Sequence, residues 1–493
     1  MTDTLISRSP LSGDPVGEVV VTAPEAVPAV VGRSRKAFSE WSHLTHRERK
    51  AYLKSFKQVV LSEGERIASV VQSETGKPLV DCYSYDVVTA LTVMDYYGRN
   101  AEKLLRRDRG GSWPFASMSG WTEYHPRGVA GVISPWNYPF FLPMTPTVTA
   151  LAAGCSVVLK PSEITPLSGQ LISDLAEAAG LPTDVVQVIH GDGRTGAALV
   201  SGGVDVVAFT GSTEVGKKVA EAAARNLTPV VLELGGNDAM VVLDDADLAQ
   251  TARAAVWGAN LTAGQTCVAV ERLYVLDAVY DQFIEELDRA FETVTVATGD
   301  GRDLGPIIHP PQVEIIEDHV RDAVGKGARV LRGGKRVEQG SALYWEPTLL
   351  VDVDHSMKMM REETFGPVLP VMRVSDEATA LELANDSRFG LHGSVWSSNR
   401  QRAWHFASEM RSGTVAVNDV GVNFISPTVA FGGIGDSGYG ANFGRDGIRS
   451  FCYPKSITSA RLRWPTSRLL GAWYPRRRGV RYWKALARAL FRW

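Results

Sequence analysis

The chain has 493 residues, too many for one hydrophobic core, so two or three domains are expected. Hydrophobic residues make up 44% and charged residues 22%, which excludes a disordered or fibrous chain and fits an ordinary globular protein. The net charge of −3 hides an asymmetry: residues 461–493 carry ten Lys or Arg and no Asp or Glu, which leaves 42 cations against 55 carboxylates in the body, a balance of −13. Nucleic acid is not an expected partner of so acidic a body.

The four cysteines, Cys82, Cys155, Cys267 and Cys452, are far apart and lack CxxC spacing. This argues against a disulfide framework or a zinc site and for a reducing, cytoplasmic compartment. The nine histidines show no ligand spacing, so no metal is implied. The first fifteen residues contain no apolar h-region, so no signal peptide is expected there.

In chain order, residues 25–105 read as helices, among them Arg47–Ser62 and Tyr83–Leu105. Gly128–Leu159 carries no charge and is long enough to imitate a transmembrane span. Pro135, Pro139, Pro143 and Pro146 interrupt it, so strand (Val129–Ile133), loop, buried helix and strand (Ser156–Leu159) is the better reading. Helix Pro166–Ala179, strand Val185–His190, helix Thr195–Ser201, strand Val204–Thr210, helix Val215–Arg225 and strand Val230–Leu234 follow. This alternation predicts a doubly wound parallel sheet. A second block has strands at Ala239–Leu243, Leu273–Leu276, Arg329–Leu331, Thr348–Val351, Val368–Met372 and Thr414–Asn418. Its helices are Asp281–Val294, Gln312–Lys326, Ala378–Asp386 and Arg400–Met410.

Two residues near the junction of these blocks carry reactive chemistry. Cys267 lies in Gly264-Gln265-Thr266-Cys267, where small neighbours let a substrate approach the thiol. Glu233 precedes Gly235-Gly236, which leave the adjacent backbone permissive. A thiol nucleophile with a carboxylate base equips a site for acyl chemistry through a thioester. Three further motifs sit where strands end. Thr210-Gly211-Ser212-Thr213 opens a helix whose N–H groups would face a phosphate. Lys160-Pro161-Ser162-Glu163 ends a strand, and a carboxylate there can accept both ribose hydroxyls while repelling a 2′-phosphate. Asn137, in Pro135-Trp136-Asn137-Tyr138-Pro139, can donate to a developing oxyanion. Each also has a bland reading as a turn or a solvated pair.

Together with Glu362–Val368 and Phe431–Gly440, these motifs occur in an order that resembles the NAD(P)-dependent aldehyde dehydrogenase superfamily, from about residue 5 to about residue 460. The resemblance implies an α/β fold with a Rossmann-type cofactor domain (1–110 and 128–234), an α/β catalytic domain (235–418) and a small β oligomerisation element (111–127 and 419–460). It implies Cys267 as nucleophile, Glu233 as general base, and Asn137 with the Cys267 backbone N–H as oxyanion hole. Lys160 and Glu163 would meet the adenosine ribose, Gly211, Ser212 and Gly216 the pyrophosphate, and Glu363 and Phe365 the nicotinamide ribose and ring. Trp136, Ser162 and Leu234 are further cofactor-binding candidates. The cofactor implied is NAD, with NADP as the alternative, the substrate a small-molecule aldehyde, and the assembly a homodimer or homotetramer. The implied reaction is oxidation of an aldehyde to an acid, with a medium- or long-chain or aromatic aldehyde set against a semialdehyde or, less favoured, acylation of coenzyme A. The chain departs from the commonest pattern at Asn237 and Gly435, both often Lys, and at Ala441-Asn442, often Arg-Glu.

Residues 461–493 lie beyond the family's usual end. On a helix of roughly 100° per residue, Arg481, Lys484, Arg488 and Arg492 share one face and Trp483, Leu486, Ala487, Leu490 and Trp493 the other. With Arg476–Arg478 just before it, segment 476–493 is expected to dock on an anionic membrane surface, placing the protein peripherally on the inner face of the membrane. Packing on a partner subunit is the alternative.

Overall fold

The computed structural model describes residues 3–110, 118–296, 303–460 and 479–491. Residues 111–117 of the expected β element, and 461–478 with Arg492 and Trp493 of the tail, lie outside them.

The first sheet has six strands in the order Gly438–Tyr439, Val230–Glu233, Val206–Thr210, Val129–Ile133, Ser156–Lys160, Val186–Val188. Five are parallel, and only the two-residue strand Gly438–Tyr439 is antiparallel. Val129–Ile133 and Ser156–Lys160 are buried on both faces, which explains why they read as unbroken apolar runs. In chain order the parallel strands run 3-2-1-4-5, so the winding reverses between Val129–Ile133 and Val206–Thr210. Ligands of doubly wound sheets bind at that reversal.

The uncharged stretch is resolved as read from sequence. Helix Phe141–Ala153 has every residue buried, with Pro146 inside it. Two of its three threonine hydroxyls are satisfied within the helix: Thr145 and Thr149 donate to the carbonyls of Phe141 and Thr145, while the Thr147 hydroxyl is buried without a partner. No helix among the described residues is long and apolar enough to cross a membrane.

The second sheet has seven strands, Arg329–Arg332, Thr348–Val351, Val368–Val374, Val270–Leu276, Asp238–Val242, His392–Trp396 and Thr414–Val417. It is parallel except where Arg329–Arg332 meets Thr348–Val351. A three-stranded antiparallel sheet joins Asp108–Gly110, Met118–Pro126 and Cys452–Ala460. Eight of the nine residues of Cys452–Ala460 are exposed.

The structure departs from the sequence reading at three places. His392–Trp396, not foreseen, is an inner strand of the second sheet. Gly438–Tyr439, expected within the oligomerisation element, pairs with Leu232 and Glu233 at the edge of the cofactor sheet. The helix expected at Tyr83–Leu105 is regular only over Thr89–Leu104, because Cys82–Val88 forms a wider π turn. Such turns gather at functional sites, and this one carries the buried Asp86.

Candidate active site

Strand Val129–Ile133 ends in the loop of Trp136 and Asn137, and its neighbour Val206–Thr210 ends in Gly211 and Ser212. Both loops line one cavity of about 710 Å3. Glu233, at the end of the next strand, lines it too, as does Cys267 from the loop entering the second sheet. The three groups expected to carry the chemistry are thus brought together from three separate loops and strand ends.

Their surroundings differ in kind. Both Glu233 carboxylate oxygens are buried without a hydrogen-bond partner. Burial pushes the carboxyl well above its ordinary range. Burial likewise pushes the Cys267 thiol upward, reinforced by the carboxylates of Asp238, Glu363 and Glu233. Asn137 uses one amide N–H on the Gln265 carbonyl at 2.9 Å. Its second N–H is left for a ligand.

The cofactor candidates line the same cavity. Lys160 is buried and ion-pairs at 2.8 Å with Glu163, which is 45% exposed at the strand end. Ser162, Gly211, Ser212 and Leu234 contribute to the wall, with Glu363 and Phe365 across from them. Trp136 meets Phe365 edge-on, ring centres 5.7 Å apart. Gly216 does not reach the cavity; a Cβ on it would sit 2.4 Å from Leu234. Its glycine lets helix Thr213–Ala224 settle against the Glu233 strand.

These features fit a dinucleotide. Ser212 gives its helix no side-chain cap, so the first-turn N–H groups remain available to a pyrophosphate. The Glu163 carboxylate lines the same cavity at the end of its strand. Gly196, Ala197, Val200, Val215, Val219 and Ala222 add an apolar stretch to the wall of the same cavity.

The profile of the aldehyde dehydrogenase family matches residues 2–457. The chain belongs to the aldehyde dehydrogenase family. It is accordingly an NAD(P)-dependent aldehyde dehydrogenase. Among its relatives is the 4,4'-diapolycopene aldehyde oxidase of a Methylomonas species, 40% identical over 96% of this chain and 88% of that one. The succinate-semialdehyde dehydrogenase [NADP(+)] GabD of Escherichia coli is 35% identical over 90% and 92%. The crystal structure of betaine aldehyde dehydrogenase from Staphylococcus aureus in complex with NAD+ superposes with a TM-score of 0.88, at 31% identity over 94% and 93% of the two chains.

Several residues of this aldehyde dehydrogenase that organise the site were not singled out from sequence. Lys77 is buried, its ammonium 2.6 Å from Asp86 and 2.9 Å from the Asn137 carbonyl. The other Asp86 oxygen accepts the Phe140 and Phe141 N–H groups. This pair anchors the Asn137 loop from below. Gln265 ties the cysteine loop to Thr262, Pro306 and Ile308. Before it, Thr262, Ala263 and Gly264 all adopt left-handed backbone (φ 55°, 54° and 70°), strain that the surrounding bonds must hold. The Tyr138 hydroxyl joins Thr262 and Thr266.

Proposed function

We propose that this enzyme oxidises an extended apolar aldehyde to the acid, prefers NAD, and releases product by hydrolysis. The apolar packing against the nucleophile carries this reading. The core cluster against which Cys267 packs includes Tyr138, Phe141, Val268, Phe424 and Phe431. Phe424 lies 5.4 Å from Tyr138 and 5.3 Å from Phe141, ring centre to ring centre. On the same short helix, Val422–Ile425, the end residues Val422 and Ile425 are exposed, as is Val429 just beyond it. Lys77 lies 4.5 Å from the centre of the Tyr138 ring but is spent on Asp86. Such packing rewards an alkyl or polyene chain and offers a carboxylate little.

Once its proton has passed to water, the Cys267 thiolate attacks the aldehyde carbon, forming a C–S bond as the carbonyl π bond breaks and its oxygen becomes an alkoxide. Asn137 Nδ2–H and the Cys267 backbone N–H stabilise that charge, each worth about 3 kcal/mol. The bound nicotinamide supplies the acceptor for the departing hydride. Glu233, a stronger base for being buried, takes a proton from water, which attacks the thioester and breaks the C–S bond. Lys160, Ser162 and Glu163 hold the adenosine ribose, Glu163 favouring NAD, and Gly211 and Ser212 face the pyrophosphate over Gly216. Trp136, Leu234, Glu363 and Phe365 seat the nicotinamide end. With a base beside the thioester, water rather than coenzyme A resolves it.

Helix Gly479–Leu490 is the proposed route to a lipid-dissolved substrate. Arg481, Lys484 and Arg488 are exposed along one face, and none of its residues belongs to a hydrophobic core cluster. We place it on the anionic inner surface of the membrane. The exposed strand Cys452–Ala460 is the surface we assign to contact between copies in a homodimer or tetramer.

The test is kcat/KM for straight-chain aldehydes from propanal to dodecanal beside succinic semialdehyde. Each added methylene should raise it about fourfold, or about 0.8 kcal/mol, until the site is filled. Succinic semialdehyde turning over faster than the longer alkanals would favour the semialdehyde reading instead, which the Escherichia coli relative's name supports.

A further inference from the structure

The loop carrying Glu363 and Phe365 is held from behind by a carboxylate that the reaction scheme does not use. Glu271 lies four residues beyond the nucleophile on strand Val270–Leu276 and is buried. Its Oε1 accepts the N–H groups of Thr364 at 3.0 Å and Phe365 at 2.8 Å; its Oε2 lies 2.9 Å from the same Thr364 nitrogen. Phe365 is left-handed (φ 49°), and a backbone turned this way aims successive N–H groups at one point, forming an anion-binding nest. Here the anion is the protein's own side chain.

The same carboxylate is held from the opposite side. Asn237 Nδ2 lies 3.1 Å from Glu271 Oε2, 3.0 Å from the Met359 carbonyl and 3.1 Å from the Glu362 carbonyl. One residue back, the Gly236 N–H donates to Glu363 Oε1 at 3.1 Å. A Cβ on Gly264 would sit 2.1 Å from the Gly366 carbonyl, so the cysteine loop abuts the far end of the same segment. Asn237 brings N–H groups but no charge. The neighbouring Arg272 guanidinium is committed to the carbonyls of Asn237, Leu383 and Ala384. Burial pushes the Glu271 carboxyl up, and the Phe365 and Thr364 N–H groups oppose that rise most, followed by the Asn237 amide and the Arg272 charge. Strip out the N–H donors and burial beside Glu363 would favour the neutral acid, which holds the loop less firmly.

We propose that Glu271 is a positioning residue: seated in the nest of Thr364 and Phe365 and retained by the Asn237 amide, it presets the Glu363–Phe365 loop for the nicotinamide ribose. The inference rests on the reading of Glu363 and Phe365 given under the proposed function, and the two can fail separately.

The latch is tested without cofactor by hydrogen exchange of the full chain, following the peptide that spans residues 362–368. Glu271→Leu removes every acceptor and should speed exchange there at least about tenfold. Glu271→Gln keeps one carbonyl and should fall between. The Kd for NAD, titrated by tryptophan fluorescence, should weaken in the same order, at least about tenfold for the leucine variant. KM for NAD should rise with it, while the rate of Cys267 alkylation by iodoacetamide stays within about twofold. Unchanged exchange at 362–368 in both variants overturns the latch. Should Glu271→Leu fail to fold, the glutamine variant decides by the same readouts. If Glu363→Gln binds NAD as the wild type does while Glu271→Leu still frees the loop, the reading of Glu363 fails and the latch stands.

Discussion

At the scale of single residues, Glu233 and Cys267 form a matched pair. Burial raises both, so neither is ionised cheaply at rest, and a carboxylate of raised pKa is the stronger base once formed. Glu233→Gln should leave acylation of Cys267 intact and slow thioester hydrolysis by about 10²- to 10⁴-fold. Rapid mixing should then give one equivalent of NADH per Cys267 followed by a stalled phase; steady turnover without a burst would refute the assigned role. In the wild type the hydrolysis step needs ionised Glu233, so its rate falls as pH falls through the raised pKa. That limb should lie above the ordinary glutamate value of about 4.3 and vanish in the glutamine variant. Cys267, Glu233 and Asn137 could be picked out of the sequence because each sits among glycines or prolines that a reactive side chain needs. Lys77, Asp86 and Glu271 could not. A lone charged residue in sequence reads as surface, and only the fold reveals that these three are buried and paired.

At the scale of elements, the alternating strands and helices were legible wherever β-branched runs were uninterrupted. Strand His392–Trp396 escaped because His392, Gly393 and Ser394 carry no apolar pattern. Its place is set by tertiary packing, with a Cβ on Gly393 only 2.6 Å from Met410. The π turn Cys82–Val88 escaped for the same reason, since its widening serves a long-range partner. Asp86 from that turn and Lys77 form a fully buried pair under the Asn137 loop. Removing one partner strands a charge, so Lys77→Met should cost about 3–5 kcal/mol, read from urea unfolding. The double variant Lys77→Met/Asp86→Leu should recover much of that stability. It should not recover kcat, because the Phe140 and Phe141 N–H groups then lose the acceptor that holds the Asn137 loop. Full recovery of both would reduce the pair to a packing feature.

At the scale of the whole molecule, charge is divided between body and tail. The acidic body is repelled by an anionic bilayer, so docking needs the tail to outweigh it. On helix Gly479–Leu490 the cations Arg481, Lys484 and Arg488 lie on one side, while Tyr482, Trp483, Leu486 and Leu490 on the other are half-buried. This segregation was legible in sequence because a 3.6-residue period needs no tertiary partner to be seen. Near a membrane carrying anionic lipid, each cation is worth about 1 kcal/mol. Replacing Arg481, Lys484 and Arg488 together by Gln should therefore weaken binding to vesicles containing phosphatidylglycerol roughly 100-fold. Binding should also fall steeply as salt shortens the screening length below about 8 Å. Turnover of a short water-soluble aldehyde should be unaffected, whereas turnover of a long-chain aldehyde presented in those vesicles should drop with the binding. If the triple variant sediments with vesicles as the wild type does, the cationic face is not what brings this enzyme to lipid.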